Sequence, residues 1–155
     1  MDFTISLEGF TPHSMESFAG AYHKYGAKPN DTLVYLTSNA TEAATVQNFQ
    51  HPEVAAVYDL DRLSTDVPYD VFLSGATPLV TITSPNARTD RELVIFRDSF
   101  SSSLAPLLLE EYCKITLVDL RYMASTLLPQ HLEFTNQDVL FLYSTLVADQ
   151  RGLLH

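Results

Sequence analysis

Cysteine is nearly absent from this chain of 155 residues, tryptophan is missing, and basic residues are few. The single cysteine, Cys113, excludes an internal disulfide framework and any zinc site built from several thiolates. Lys and Arg number 9 against 19 Asp and Glu, a formal charge of −10. That balance excludes a phosphate-tracking nucleic-acid binder and a polybasic membrane patch, both of which need clustered cations. No apolar run approaches the roughly 18 residues of a membrane-spanning helix. Met1-Asp2-Phe3-Thr4 offers neither a basic nor an apolar stretch, so no signal peptide is expected at this start, and the chain as written would stay in the cytoplasm. What is present is a core: 46% of residues are apolar and 18% charged, in a length suited to one domain, taken as residues 1–155.

Repeats and low-complexity tracts are lacking too. Gly20, Gly26 and Pro29-Asn30-Asp31 punctuate the first fifty residues. Thr32-Leu33-Val34-Tyr35-Leu36 reads as a strand, and Val54-Ala55-Ala56-Val57-Tyr58 as a short strand or a buried turn. An acidic loop spans 59–70, without the alternation and closing Glu of a calcium-binding loop, so no metal site is expected there. Leu79-Val80-Thr81-Ile82-Thr83 is β-branched and ends at Ser84-Pro85-Asn86.

The second half is more regular. Leu93-Val94-Ile95-Phe96, Ile115-Thr116-Leu117-Val118 and Val139-Leu140-Phe141-Leu142-Tyr143 are continuous apolar runs of strand length, expected as neighbouring parallel strands. Between the first two, Leu104, Leu107, Leu108 and Tyr112 mark one face of a helix over 102–112, with Pro106 in its first turn and Glu110 and Glu111 facing solvent. A short helix is expected over 129–134. Strand, helix, strand, helix, strand with short links predicts an α/β fold with a mostly parallel sheet. Functional groups of such sheets gather at the carboxyl ends of the strands. Those ends are Arg97-Asp98-Ser99, Asp119-Leu120-Arg121-Tyr122 and Ser144-Thr145.

Ser99 on a strand-to-helix turn has two readings. Its hydroxyl could be a nucleophile with an oxyanion held by nearby N–H groups, or Ser99 and its neighbours 101–103 could cap the helix. A nucleophilic serine needs a base, usually a histidine oriented by a carboxylate. His13, His23, His51, His131 and His155 all lack an Asp two or three residues before them, and surface positions are expected for them. Asp119 and Arg121 are expected to pair structurally at a strand end, and Cys113 to be an inert core thiol.

Read together, Arg97-Asp98-Ser99-Phe100, Ser103-Leu104-Ala105-Pro106, Val118-Asp119-Leu120-Arg121-Tyr122 and Asp138-Val139-Leu140-Phe141-Leu142-Tyr143 resemble the C-terminal part of the bacterial DHHW proteins. Phe18-Ala19-Gly20, Asp31-Thr32 and Tyr69-Asp70-Val71-Phe72-Leu73-Ser74-Gly75 fit the family's upstream segment in the right order. DHHW proteins are similar to SGNH hydrolases and to acetyltransferases that modify bacterial exopolysaccharides. The resemblance implies a three-layer α/β/α fold, SGNH-like and incomplete on its N-terminal side, with Ser99 as the nucleophile. It also implies an extracytoplasmic setting and a carbohydrate or acyl-ester substrate, with no cofactor. The triad's Asp and His would come from the Asp-His-His-Trp motif that names the family, and this chain does not contain it.

Two departures bear on the chemistry. Family members read Gly-Gly-Asn where this chain has Ser74-Gly75-Ala76, and Asp-Ser-x-x-Asn where it has Ser102. Gly75 and Ser102 are therefore the candidate oxyanion or pocket residues, with Asp98, Asp119 and Arg121 as strand-end groups. Loss of one oxyanion donor alone costs about 10²–10³ in rate. Two functions follow as expectations: a truncated SGNH-like esterase or acyltransferase, inactive as this chain alone, or a non-catalytic binding or structural remnant of that fold. Without the upstream part of that fold an uncovered sheet edge or face is expected, and with it a homodimer or poor solubility.

Overall fold

Two sheets organise the residues that the computed structural model describes, 7–18 and 31–149. Gly20, Gly26, Pro29-Asn30, His23 and His155 lie outside the described residues, as does the Ala19-Gly20 part of the resemblance noted in the sequence. Strands β1 (Thr11–Phe18) and β2 (Asp31–Thr37) form an antiparallel pair. The larger sheet contains β3 (Thr45–Asn48), β4 (Leu79–Thr83), β5 (Glu92–Arg97), β6 (Lys114–Val118) and β7 (Asp138–Leu142), in the order β3-β4-β6-β5-β7.

The three apolar runs are neighbouring parallel strands, as their pattern predicts: β5 lies between β6 and β7 and runs parallel to both. The sheet as a whole is mixed, which corrects the expectation of a mostly parallel one. The β3–β4 and β4–β6 ladders are antiparallel. An apolar, β-branched run such as β4 fits a buried strand in either direction, so its pattern carries no orientation.

Burial explains why β5 lies inside the sheet. Leu93 and Ile95 join one core cluster with Ile82, Leu117, Ala105, Leu109 and Tyr112. Val94 and Phe96 point the other way, into a cluster with Leu79, Val118, Leu128 and Leu132. Alternate side chains of one strand thus fill two cores, the physical reason for its unbroken apolar sequence. A third cluster of Leu33, Val71 and Phe72, with Met15 and Tyr35 against it, joins the two-stranded sheet to the loops between β3 and β4.

The helices are short. Helix α1 (Asn39–Ala43) starts with a capping box, in which Ser38 and Thr41 each accept the other's backbone N–H. Helix α2 (Ser101–Leu104) passes directly into a 3₁₀ turn, Ala105–Leu108, where a longer helix is expected from sequence. Pro106 has no N–H to return to the carbonyl of Ser102, so the α ladder cannot continue past it. The buried side is Ser101, Ser102, Ala105, Leu109 and Tyr112, while Leu104 and Leu107 are half-exposed. Glu110 is half-buried and paired with Arg88 at 3.5 Å, not solvated as expected.

Residues 54–58 are a turn with Val57 buried, and Tyr58 forms one isolated bridge to Phe72. The helix expected over 129–134 is a 3₁₀ turn displaced to Ser125–Gln130. Helix α3 (Thr145–Asp149) follows β7. Cys113 is half-buried at the start of β6, where its thiol donates to the Arg91 carbonyl at 3.4 Å, which corrects the expectation of a core thiol. No helix among the described residues is long and apolar enough to cross a membrane.

Candidate active site

The carboxyl end of β5 carries a network of buried polar groups. Arg97, its last residue, is fully buried (0% exposed). Its guanidinium donates to Ser102 Oγ at 2.6 Å and to the Thr77 carbonyl at 3.2 Å, while Nε finds no partner. Burial lowers its basicity, and the nearby Asp119 carboxylate opposes that. Arg97 therefore clamps the start of α2 to the segment leading into β4.

Asp98 is also buried, and both its oxygens are in use. Oδ1 accepts the Phe100 N–H at 3.0 Å and Oδ2 the Ser144 N–H at 2.6 Å. The first bond closes an Asx-type turn around Ser99; the second ties that turn to the end of β7. Ser99 sits at the apex, half-exposed. Among the described residues its hydroxyl has no hydrogen-bond partner, and its own N–H donates to no acceptor. Its carbonyl accepts the Ser102 N–H at 3.1 Å and the Tyr69 hydroxyl at 3.4 Å. Tyr69 also donates to Ser103 Oγ at 3.0 Å.

The helix-cap reading of Ser99 finds no bond to carry it, because no side chain caps the start of α2. The oxyanion question has a mixed answer. The N–H groups of Phe100, Ser101 and Ser102 are engaged within the turn. The Gly75 N–H donates to the Phe72 carbonyl at 3.1 Å. Ser102 Oγ is buried against Arg97 and does not face the pocket. The N–H of Ser99 itself donates to no acceptor among the described residues.

At the end of β6, Asp119 is fully buried and binds Arg121 through a fork, Nε to Oδ1 at 2.9 Å and Nη2 to Oδ2 at 2.6 Å. That bidentate pair holds Arg121 strongly protonated and leaves its guanidinium 5.3 Å from the Tyr122 ring centre. The expected structural pairing of Asp119 with Arg121 is thus present.

Beside this network lies an open depression of about 480 Å³, lined by polar groups including His51, Asp70, Gly75, Thr77 and Tyr122. Thr77 connects it to Arg97. One wall is strained: Leu73, Ser74 and Gly75 have φ of 58°, 56° and 98°, three successive left-handed residues. Only Gly75 adopts this without penalty, so the stretch stores free energy that the surrounding core offsets. The Asp70 carboxyl packs so closely that a Cβ on Gly75 would lie 3.1 Å from it. Burial holds the Asp70 carboxyl above the usual Asp range. Ser74 donates to Asp59 at 2.6 Å, the main reason the Asp59 carboxyl sits below that range.

No described histidine hydrogen-bonds to Ser99. His13 pairs with Thr37 at 2.9 Å, His51 with Glu53 at 3.2 Å, and His131 meets Phe49 edge-on. His51 and His131 are exposed, as expected. No cluster of metal-ligating side chains occurs among the described residues. Thr77 was not singled out in the sequence, and the burial of Arg97 and the bonds of Tyr69 to the Ser99 turn were not foreseen, because a strand-end Arg and a loop Tyr ordinarily face water.

Comparison with known proteins bears on the fold. No protein-family model and no curated protein matches the chain. Solved structures do, and they define it as an α/β fold shared with larger proteins. A DHHW family protein from Eubacterium siraeum DSM 15702 is similar over 92% of this chain and 50% of its own, with a TM-score of 0.72 at 23% identity. Bacillus cereus PatB1 is similar over 90% of this chain and 50% of its own, with a TM-score of 0.62 at 18% identity. PatB1 with a sulfonyl adduct gives a TM-score of 0.60 at 16% identity, over 90% and 48%. The likeness is one of fold, and the chain spans about half the length of each of these proteins.

Proposed function

We propose that this chain carries the nucleophile half of an SGNH-like serine esterase or acyltransferase, three-layered when complete, with Ser99 as the nucleophile. The observation that carries the reading is the seat of Ser99. It lies on a turn closed by the buried Asp98, at the carboxyl end of the central parallel strand, with its hydroxyl unpartnered and its N–H open. Solved proteins of the same fold support it. One is a DHHW family protein, and another holds a sulfonyl adduct, the group a sulfonylating reagent leaves on an activated nucleophile.

In the proposed reaction Ser99 Oγ attacks the acyl carbonyl and passes its proton to a base. The tetrahedral oxyanion takes the Ser99 N–H, the acyl group moves to Oγ, and the alcohol leaves with the proton. A water or a carbohydrate hydroxyl then accepts the acyl group by the reverse sequence. The base and its carboxylate belong to an Asp-His-His-Trp segment upstream of the family match, in an extracytoplasmic protein. The test is p-nitrophenyl acetate hydrolysis by the polypeptide extended upstream through its reading frame. Ser99→Ala should lower that rate by at least about 10³-fold. A stop codon and ribosome-binding site directly before Met1 would favour the alternative, a non-catalytic remnant.

A further inference from the structure

Among the described residues Ser99 makes no hydrogen bond through its hydroxyl or its N–H, so the backbone around it must set where both point. The Ser99 carbonyl and the Phe100 N–H belong to one planar peptide unit. Asp98 Oδ1 accepts the N–H end of that unit at 3.0 Å. The carbonyl end accepts the Ser102 N–H at 3.1 Å and the Tyr69 hydroxyl at 3.4 Å. Tyr69 also donates to Ser103 Oγ at 3.0 Å, and Ser103 Oγ donates in turn to the Phe100 carbonyl at 3.0 Å. One phenolic proton thus serves two acceptors, a three-centre bond whose nearer arm is Ser103. Asp98 grips the donors of the turn, and Tyr69 grips its acceptors.

We propose that Tyr69 is a positioning residue for Ser99: its hydroxyl fixes the plane of the Ser99–Phe100 peptide, and with it the direction in which the serine side chain and N–H leave the turn. The proposal rests on Ser99 being the nucleophile. Rotation of that peptide would change the ψ angle of Ser99, and a plane held at both its N–H and its C=O cannot rotate freely. Tyr69 is itself held. It lies on the 3₁₀ turn Pro68–Val71, whose Pro68 and Val71 are buried. Its ring packs on Phe72 with centres 5.2 Å apart, and Phe72 meets Tyr58 edge-on at 5.9 Å. The Tyr58 hydroxyl donates to the Leu36 carbonyl of β2. A row of rings therefore runs from the two-stranded sheet to the Ser99 turn and ends in the Tyr69 hydroxyl. Phe would fill the same place in that row. What the hydroxyl adds is its two bonds to the turn, 30 and 34 positions along the chain. Burial raises the pKa of Tyr69, so the phenol stays a protonated donor through the neutral range.

The experiment is carbon-13 NMR of the Ser99 carbonyl, with amide hydrogen exchange, on this chain and on its Tyr69→Phe and Ser103→Ala variants. A hydrogen bond deshields a carbonyl carbon, so Tyr69→Phe should move the Ser99 resonance upfield. Ser103→Ala leaves the Ser99 carbonyl as the sole acceptor of the Tyr69 proton and should move it downfield. In Tyr69→Phe the Phe100 and Ser102 amides should exchange at least about fivefold faster, the worth of one hydrogen bond, and well beyond any change inside β5 and β6. In the Ser99-dependent hydrolysis proposed above, Tyr69→Phe should lower kcat about tenfold and leave KM unchanged. An unmoved Ser99 carbonyl, equal acceleration of turn and sheet amides, or an unchanged kcat would overturn the positioning role and leave the nucleophile standing. The carbonyl shift and local exchange without any Ser99-dependent hydrolysis would sink the nucleophile, and the positioning role would fall with it, leaving Tyr69 a structural tie.

Discussion

Arg97 and Asp98 show how a single turn is made rigid from beneath. Both are buried ions, and each is useful only because its partners lie in other elements: Thr77, Ser102, Phe100 and Ser144. Arg97→Met should destabilise the fold by about 2–4 kcal/mol in urea unfolding, since it leaves the buried Ser102 hydroxyl and Thr77 carbonyl without their donor and removes a cation near Asp98 and Asp119. Arg97→Lys keeps the charge but not the fork, so its loss should be smaller and still measurable. Ser99→Ala should change stability by less than about 0.5 kcal/mol, because its hydroxyl makes no hydrogen bond among the described residues.

Asp70 and Gly75 give a second residue-scale test. Gly75→Ala should cost about 1–3 kcal/mol, from the left-handed φ and the carboxyl 3.1 Å away. The raised Asp70 pKa means the folded chain binds that proton more tightly than the unfolded chain. Stability linked to Asp70 is therefore full below the ordinary Asp pKa near about 3.9 and falls as pH rises through the raised folded value. Asp70→Asn should gain on wild type across that window and hold its advantage above it. A flat difference between the two proteins from acid to neutral pH would contradict this.

Among the elements, β5 and β6 were legible because both are buried on two faces and read as continuous apolar runs. The run in β7 gave the strand and, with the helical stretch between the first two, the parallel order, but not burial, since Val139, Leu140 and Phe141 are exposed. Strand β1 was not anticipated. Its sequence, TPHSMESF, is mostly polar and begins with Pro12 inside the strand, which a two-stranded pair can accept. Strand β3 has only four residues, too few to show a period. The direction of β4 is absent from its pattern, and α2 was overestimated because the apolar period continues through Pro106 although the hydrogen bonds do not. At the site, the motif around Ser99 was readable, whereas contacts spanning 20 to 46 positions, such as Arg97 to Thr77 and Asp98 to Ser144, exist only once the sheet has formed.

At the scale of the whole molecule, a chain with exposed apolar residues on the edge strand β7 and a charge of −10 balances attraction against repulsion. In isolation it should self-associate through β7, and more so as salt screens the charge. Sedimentation velocity at rising ionic strength checks this, and a single monomer species at high concentration and high salt would count against it. The central claim is that the chain holds a seated nucleophile without its base. Its most direct test is p-nitrophenyl acetate hydrolysis by this chain and by Ser99→Ala, prepared side by side. The account predicts rates close to the uncatalysed background for both, because a triad acts as a unit and loses nearly all its effect with the base. Turnover well above background in the wild type that disappears in Ser99→Ala would contradict it, and would mean that a histidine of this chain reaches Ser99.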